Sequence, residues 1–350
     1  MRCEQAESSP TAPLQAALAA PIPTLSRRQW LTLAAWGGGG AALALGPGQA
    51  RAQDGRPVRF ILPVSAGSGV DTIVRAFGPQ LAKALGQPVV IDNQPGAGGL
   101  TGSVALVKAP PDGLTLGVVS NNHVVFPSVY RKLNFDPIED ITPISVLGAT
   151  PLALVVNPRR VSARNAAELI ALLRAKPGDY NYASSGNGTI LHLSAAMFLD
   201  EAGVQALHVP YKGVGPMLAD LVGGQVDMGV LALNVIQGHL KSGALRAIGV
   251  GSPNRVPLMP ELPTLMEQGL PHCQFEGWFA AIGPKGLPAA EVARVHNAFV
   301  AALGTAEVRD LMARQGNLIH PGSPEAAQAY FRSERDKYAR LVKLTGVQLD

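Results

Sequence analysis

From residue 54 onward, short apolar runs alternate with longer stretches in which apolar residues recur with helical spacing. The first run, Val58–Pro63, is followed by a small-residue loop and by a helical pattern from about Val70 to Leu85. Further apolar runs at Pro88–Asp92 and Leu114–Ser120 flank another helical pattern. Strand, helix and strand at this spacing predict a parallel sheet covered by helices, so the alternation restricts the fold class to α/β.

The same pattern starts again at a second long apolar run, Ile144–Asn157. After a proline-rich stretch comes the apolar run Phe275–Gly283, and the last helical patterns are expected to fold back onto the first unit. Two sheet units joined by two long strands predict two lobes with a hinge between them. We expect residues 53–153 plus 276–350 to form the first lobe and residues 154–275 the second.

The composition indicates a globular protein and excludes several functions. The 350 residues are 47% hydrophobic and 15% charged, which is too apolar for disorder. The net charge of +4 falls further outside the first 52 residues, so no basic footprint for nucleic acid is present. The two cysteines, Cys3 and Cys273, form neither a CxxC pair nor a disulfide within the mature chain.

Residues 1–52 have the three parts of an export signal. Arg27-Arg28 precedes an apolar, glycine-rich stretch from Leu31 to Leu45, and Ala50-Arg51-Ala52 is typical of a cleavage site. The adjacent arginines favour the twin-arginine route over the general one. The stretch is shorter than the roughly 20 residues that span a bilayer, so a membrane anchor is disfavoured. We predict a cleaved, exported protein that does not itself span the membrane.

Ligands of open α/β sheets bind beyond the carboxyl ends of strands, where the strand order reverses. If each lobe has the order 2-1-3, the loops after its first and third strands face the cleft. In the first lobe these loops are Ser65–Asp71 and Ser120–His123, and in the second they are Ser184–Thr189 and Leu231–Asn234. The sequence therefore predicts a binding cleft formed by these four loops.

Two of the loops run from a strand end into a helix start and are rich in small residues. Small residues let the backbone approach a ligand, and the first helical N–H groups favour an anion. Ordinary turns with helix caps would show the same residues, but two such loops at matching positions favour a site. The candidate ligand-binding residues are Ser65, Ala66, Gly67, Ser68, Asp71, Asn121, His123, Ser184, Ser185, Gly186, Asn187 and Thr189.

Charged groups near these loops leave alternatives open. Asp71 either contacts the ligand or satisfies its own helix, and we favour the second because two facing carboxylates repel. The polar run Asn121–His123 fits ligand binding and plain strand termination equally well. Lys212 follows the second strand of its lobe and is expected at the sheet edge, away from the cleft. We therefore expect main-chain N–H groups and hydroxyls to hold the anion.

No catalytic, metal or cofactor site is predicted. The glycine-rich segment Asn93–Gly102 fails the dinucleotide fingerprint, because Thr101 stands where its third glycine belongs. No Walker loop, G-x-S-x-G or H-E-x-x-H motif occurs, and the seven histidines show no metal spacing. These patterns argue against an enzyme, and a hydrolase remains only a remote alternative.

Taken in order, several blocks of this sequence resemble the Bug family, the extracytoplasmic receptors of tripartite tricarboxylate transporters. They are Leu62–Asp71, Asp92–Gly99, Ala109–Gly113, Asn181–Thr189 with His192, His208–Gly213, Gly223–Asp227, Leu262–Thr264 and Gly277-Trp278. The resemblance implies a two-lobed periplasmic-binding-protein fold (type II-like), with the ligand cleft at a two-strand hinge. It further implies a monomer in the periplasm that binds a small carboxylated solute and delivers it to membrane permease subunits.

The sequence departs from the Bug pattern in the first loop, which usually reads Pro-x-Gly-Gly in that family. Here Ser65 and Ser68 stand at the proline and at the second glycine. Their hydroxyls are expected to affect the choice of solute. The same binding fold would also serve a sensor that presents the bound solute to a signalling partner.

Overall fold

The computed structural model describes residues 55–347, and the predicted export signal at residues 1–52 lies outside them. Within this range the chain forms ten β-strands. They are β1 Val58–Leu62, β2 Val89–Asn93, β3 Thr115–Ser120, β4 Ile141–Val156, β5 Asn181–Ser184, β6 Leu207–Pro210, β7 Met228–Ala232, β8 Arg246–Val250, β9 Glu276–Pro284 and β10 Leu318–Ile319.

Ten α-helices cover the sheet in the same range. They are α1 Gly69–Leu85, α2 Leu100–Val107, α3 Asn122–Val129, α4 Ala166–Ala175, α5 Ile190–Ala202, α6 Val214–Gly223, α7 Leu233–Lys241, α8 Ala289–Leu303, α9 Ala306–Arg314 and α10 Pro324–Thr345. The helices that follow the two small-residue loops, α1 and α5, are each capped by a side chain. Ser68 accepts a hydrogen bond from the Asp71 N–H at the start of α1, and Thr189 accepts one from His192 at the start of α5.

The strands follow one path, β2-β1-β3-β9-β4-β7-β5-β6, with β8 and β10 paired to β4. β1 is parallel to β2 and β3, and β5 is parallel to β6 and β7. Each lobe therefore has the predicted order 2-1-3, which is confirmed. The loops after β1 and β3, and after β5 and β7, lie at the strand ends that face the other lobe.

The long strands β4 and β9 connect the two halves of this sheet. From Ile141 to Pro151, β4 pairs with β9, and from Leu152 onward it pairs with β7 and β8. Nearly every residue of β4 is buried, as expected for a central strand covered on both faces. The predicted lobe boundaries at residues 153/154 and 275/276 remain a proposal, which the change of partners after Pro151 supports.

Three helical features differ from the sequence-based expectation. The helices Asn122–Val129 and Leu233–Lys241 begin inside the loops predicted at Ser120–His123 and Leu231–Asn234, where the sequence predicted no helix. The last helix, α10, packs against α3 and β4 but also against α5 in the second lobe. The fold-back onto the first lobe is therefore right for α8 and α9, which contact α1, and incomplete for α10.

Candidate functional site between the two lobes

A cavity of about 740 Å³ lies between the lobes and reaches the hinge strands. Its wall contains parts of the two small-residue loops Ser65–Asp71 and Ser184–Thr189, which we call the cradle loops. The segment at residues 95–99 and the loop after β6 also line it. Thr150 and Leu152 of β4 and Gly277 and Trp278 of β9 also line it, on the hinge side. The described residues of both lobes thus enclose one common space at the carboxyl ends of the parallel strands.

In the first lobe, the loop after β1 presents hydroxyls and free backbone donors to this space. Ser65 and Ser68 line the cavity, whereas Ala66, Gly67 and Asp71 do not. The N–H groups of Gly69 and Val70 begin α1 and have no hydrogen-bond partner among the described residues. The start of α1 therefore offers unpaired donors where the positive end of the helix dipole lies.

Asp71 is turned away from the cavity into its own loop. Its carboxylate accepts hydrogen bonds from the Gly67 N–H, from Arg75 Nε and from Asn93 Nδ2, each at 2.9 Å. Burial opposes ionisation, but the bonds from Arg75, Gly67 and Asn93 outweigh it and hold the pKa of Asp71 below its ordinary value. The geometry agrees with the interpretation that Asp71 stabilises its own helix start.

In the second lobe, the loop after β5 has a similar form. Ser185, Gly186, Asn187 and Thr189 line the cavity, and the Leu191 N–H near the start of α5 has no partner among the described residues. Thr189 Oγ1 donates to the Gly186 carbonyl at 2.8 Å, which closes the loop upon itself. Gly186 has φ 141°, a conformation that is open to glycine and strained for other residues.

Behind this second loop lies a stack of three buried or half-buried rings. His192 and His208 are parallel at 3.8 Å between ring centroids, and Tyr182 stacks on His208 at 4.8 Å. His208 Nε2 lies 2.7 Å from Ser184 Oγ, and the Gly188 N–H donates to His192 Nδ1 at 3.1 Å. Burial lowers the pKa of His208 to about 4 and, with His208 beside it, that of His192 to about 3. Both histidines therefore support the loop as neutral rings.

The polar run after β3 is divided between the cavity and the interior. Asn121 and Asn122 line the cavity, and Asn121 also accepts from the Trp278 N–H at 2.8 Å. His123 is buried, with its ring nitrogens 3.2 Å from Ser103 Oγ and 2.8 Å from the Pro137 carbonyl oxygen. His123 and Ser184 have their polar atoms engaged inside the fold and do not line the cavity.

Lys212 lies at the cavity, and the expectation that it sits away from the cleft is wrong. β6 is an edge strand as predicted, but the chain after it turns back over the second cradle loop. The Tyr211 N–H donates to the Ser184 carbonyl at 2.9 Å, and the Gly213 N–H donates to that of Ser185 at 3.1 Å. These two bonds hold exposed Lys212 beside the second small-residue loop, where it lines the cavity.

Within residues 55–347, three of the hydrogen bonds that join the lobes involve the first residue of a helix that borders the cavity. Ser65 Oγ accepts from the Val214 N–H at 3.1 Å, and Asn122 Oδ1 accepts from the Ile190 N–H at 2.8 Å. Asn234 Nδ2 donates to the Gly69 carbonyl at 3.1 Å. The structure is thus that of a closed cleft, and the serine that replaces the usual proline bonds across it.

Sequence reasoning missed the aromatic and hinge residues of the wall. Tyr130, Tyr211 and Trp278 line the cavity, together with Thr150 and Leu152. The sequence contained two signals for this wall. Trp278 lies on the predicted hinge strand, and the glycine-rich segment at residues 96–99 itself lines the cavity. Gly96, Gly98 and Gly99 all have positive φ, which lets this segment bend along the cavity.

Searches of the described residues give two further findings. No group of three or more His, Cys, Asp or Glu side chains is arranged to hold a metal ion. Among the described helices, none is both long and apolar enough to cross a membrane.

Comparison with known proteins decides the family. Residues 73–347 match the model of the tripartite tricarboxylate transporter family receptor (TctC). The chain belongs to this receptor family. The protein BugT of Bordetella pertussis is 33% identical over 84% of this receptor and 90% of BugT. The predicted resemblance to the Bug family is confirmed.

Solved structures support the same assignment. The receptor matches the periplasmic binding protein BugD with a TM-score of 0.80 and 29% identity, over 84% of this chain and 98% of BugD. It matches MatC of Rhodopseudomonas palustris, solved with bound malate, with a TM-score of 0.78 and 29% identity, over 82% and 99% of the two chains. The two-lobed periplasmic-binding-protein fold is confirmed, and the receptor is an extracytoplasmic solute-binding protein rather than an enzyme.

Proposed function

We propose that the receptor binds a small organic carboxylate in this cavity, in the periplasm, and delivers it to membrane permease subunits of a tripartite tricarboxylate transporter. One observation carries the proposal for this chain. The starts of α1 and α5 open onto one cavity whose described lining includes Lys212 and no Asp or Glu. Unpaired helical N–H groups with a nearby cation favour an anion. Malate bound in MatC agrees with this chemistry.

The proposed contacts are the lining members of the predicted set. They are Ser65, Ser68, Asn121, Ser185, Gly186, Asn187 and Thr189, with the N–H groups of Gly69, Val70 and Leu191. Charge-assisted hydrogen bonds contribute roughly 1.5–3 kcal/mol each, so a few of them suffice for micromolar binding after the costs of association. Ala66, Gly67 and Asp71 then act through the shape of the first loop.

Native mass spectrometry of freshly purified protein tests the proposal directly, because a co-purified acid adds its mass to a single protomer. Titration calorimetry with a panel of carboxylates follows. We expect Lys212→Ala to weaken binding by less than about tenfold, since the backbone donors remain. If this variant alone abolishes binding while the protein stays folded, an ion pair carries recognition instead.

Closure of the two lobes has its own readout. Trp278 is the only tryptophan after residue 52, is 3% exposed and lines the cavity on the hinge strand β9. A solute that binds the closed form better shifts the population toward it. We expect a change in Trp278 fluorescence and a smaller radius of gyration on binding. Unchanged X-ray scattering at saturation would argue against the clamshell motion.

The export route is tested on the leader. We propose that the mature receptor begins at Gln53, which N-terminal sequencing of the envelope fraction determines. Replacing Arg27 and Arg28 with lysines should block export if the twin-arginine route is used. Unchanged export would assign the leader to the general secretion route.

A further inference from the structure

The following inference rests on the proposed function and concerns the class of carboxylate that the cavity takes. The cavity of about 740 Å³ falls within the range of roughly 300–1,000 Å³ that is usual for drug-sized ligands. An acid as small as malate occupies only part of such a space. The remaining volume must be filled either by water or by a larger solute, and the chemistry of the wall distinguishes between the two.

Three aromatic side chains line the cavity in the described chain, and each has its polar hydrogen bonded to the protein. Trp278 Nε1 donates to Glu334 Oε2 at 2.8 Å, Tyr130 to the Ala97 carbonyl at 2.7 Å, and Tyr211 to Asp220 Oδ2 at 2.8 Å. Burial and the bond to Asp220 raise the pKa of Tyr211 to about 12, so its hydroxyl keeps that hydrogen. Their polar hydrogens are therefore already engaged, and the Trp278 ring also stacks on Phe331 of α10 at 5.3 Å between ring centroids.

Aliphatic side chains continue the apolar surface toward the hinge. Leu152 and Leu231 line the cavity from the paired strands β4 and β7, and Val235 lines it from α7. Thr150 is also part of this wall, but its hydroxyl is buried and has no hydrogen-bond partner among the described residues. Beside the aliphatic side chains, water would gain few hydrogen bonds, whereas an apolar group would gain both contact area and release of water.

The positive groups of the wall lie at one end of the cavity. Lys212 is the one formal charge among the described lining residues, and the starts of α1 and α5 add about half a positive charge each. A carboxylate placed against Leu152, Leu231 and Val235 would lack such a partner, and desolvation of an unpaired charge is costly. The wall therefore favours a carboxylate at the helix starts and an uncharged body beside the aliphatic side chains.

We propose that the preferred solute is a monocarboxylate whose body is apolar and carries an aromatic ring. The carboxylate lies between the starts of α1 and α5, near Lys212. The ring lies against Tyr211, which precedes Lys212 and lines the same cavity. Ring pairs of this kind contribute beyond the area they bury, which gives the ring a preference over an aliphatic chain of similar size.

Calorimetry with four probes tests the class on the wild-type receptor. Benzoate and phenylacetate represent the proposed class, and malate and citrate represent polar acids with two and three carboxylates. We expect phenylacetate or benzoate to bind at least about tenfold more tightly than malate and citrate, a difference of about 1.4 kcal/mol. Benzamide, which keeps the ring and lacks the charge, should bind at least about tenfold more weakly than benzoate.

A pair of variants tests the ring contact. Tyr211→Ala should weaken phenylacetate binding by about tenfold or more while changing malate binding by less than about threefold. Tyr211→Phe restores the ring and should restore the preference for phenylacetate over malate. Tyr180→Ala is a matched control, because Tyr180 is half-buried in the same lobe and does not line the cavity.

The outcomes separate this inference from the proposed function. Tighter binding of malate or citrate than of both aromatic acids overturns the inference and leaves the carboxylate receptor intact. Equal losses of phenylacetate and malate binding in Tyr211→Ala overturn the ring contact. Binding of benzamide as tight as that of benzoate, with no carboxylate bound more tightly, contradicts the proposed function itself.

Discussion

The two loops that meet at the cavity have similar shapes and are held by different chemistry. In the first lobe, the Asp71 carboxylate collects hydrogen bonds from Gly67, Arg75 and Asn93, and the Arg75 side chain is half exposed. In the second lobe, the neutral rings of His192 and His208 support the loop from a buried stack. The first cradle is therefore stabilised by a buried carboxylate paired with a half-exposed guanidinium, and the second by uncharged groups in the interior.

The difference shows that two loops of similar geometry can lose their supporting interactions at different pH values. The Asp71 carboxylate, whose pKa is lowered, supports the first loop at any pH at which it remains ionised. Neutral histidines support the second loop only while they resist protonation. Both lobes are thus weakened by acid, but the second is affected at a higher pH, because unfolded histidine takes up a proton near pH 6.5.

The largest expected effect separates two glycines that the sequence places in equivalent loops. Gly186 lines the cavity, and a Cβ there would lie 3.5 Å from the Tyr211 carbonyl and 3.9 Å from the Gly98 nitrogen of the other lobe. Gly186→Val should weaken carboxylate binding by about 100-fold or more, or 2.7 kcal/mol. Gly67 does not line the cavity, and a Cβ there would meet nothing within 4 Å.

Gly67→Val is therefore the matched control in calorimetry with malate or phenylacetate. It strains a residue at φ 76° and should cost roughly 1–2 kcal/mol of stability, with less than about a tenfold change in affinity. Circular dichroism verifies that both variants fold. Loss of binding in Gly67→Val would show that the first loop is as close to the solute as the second.

The second prediction concerns the ion that supports the first loop. Asp71→Asn keeps the shape but replaces an acceptor of three hydrogen bonds by an amide that must place its own donors against donors. We expect the free energy of unfolding to fall by about 1.5–3 kcal/mol. Carboxylate affinity should change by less than about threefold. Urea unfolding and calorimetry measure the two quantities.

Asp227→Asn is the control in the second lobe. Asp227 is a buried carboxylate that accepts from Arg160 Nε and from the Asn181 N–H, and it does not line the cavity. Both variants should lose stability and keep their affinity. A selective loss of affinity in Asp71→Asn would mean that Asp71 contacts the solute, which is the alternative that the sequence left open.

The parts of the site that the sequence predicts are those with a strong local signal. Small-residue loops between a strand and a capped helix define both cradles, and the strand order 2-1-3 follows from the parallel pattern. α3 and α7 were missed because neither begins with a capping side chain. α3 also contains Pro127 and three valines, which disfavour a helix, and it packs against α10. α7 follows β7 directly, with no loop to mark its start.

The position of Lys212 illustrates what a local pattern omits. The edge position of β6 was inferred correctly, but the return of the loop depends on two main-chain bonds to the Ser184 and Ser185 carbonyls. Main-chain bonds between segments distant in sequence leave no composition signal. The aromatic wall is similar, because Tyr130, Tyr211 and Trp278 are far apart in sequence and line one space only in the folded chain.

The third prediction uses pH to compare the cradles. Folded His208 and His192 stay neutral down to about pH 4 and 3, while the unfolded chain protonates them below about 6.5. The free energy of unfolding should therefore fall as the pH decreases from 6.5 toward 4. In His208→Gln the decrease should be shallower by up to about 1.4 kcal/mol per pH unit.

Buried His123, whose pKa is also lowered to about 4 by burial, is present in both proteins and cancels in this comparison. His320→Gln replaces an exposed histidine and serves as the control. Urea unfolding between pH 7 and 4.5 avoids the range in which Asp71 titrates. Parallel curves for wild type and His208→Gln would show that the stacked rings are not a neutral support.

The smallest expected effect tests whether the ion pair in the first cradle matters beyond its carboxylate. Arg75 Nε lies 2.9 Å from Asp71, but its side chain is 51% exposed, and surface pairs of this kind contribute about 0–1 kcal/mol. Arg75→Ala should therefore reduce the free energy of unfolding by less than about 1 kcal/mol, and the reduction should shrink further in concentrated salt. The Gly67 and Asn93 donors remain in this variant and keep the loop in place. A loss as large as that of Asp71→Asn would show instead that the guanidinium, rather than the backbone and amide donors, holds the first cradle.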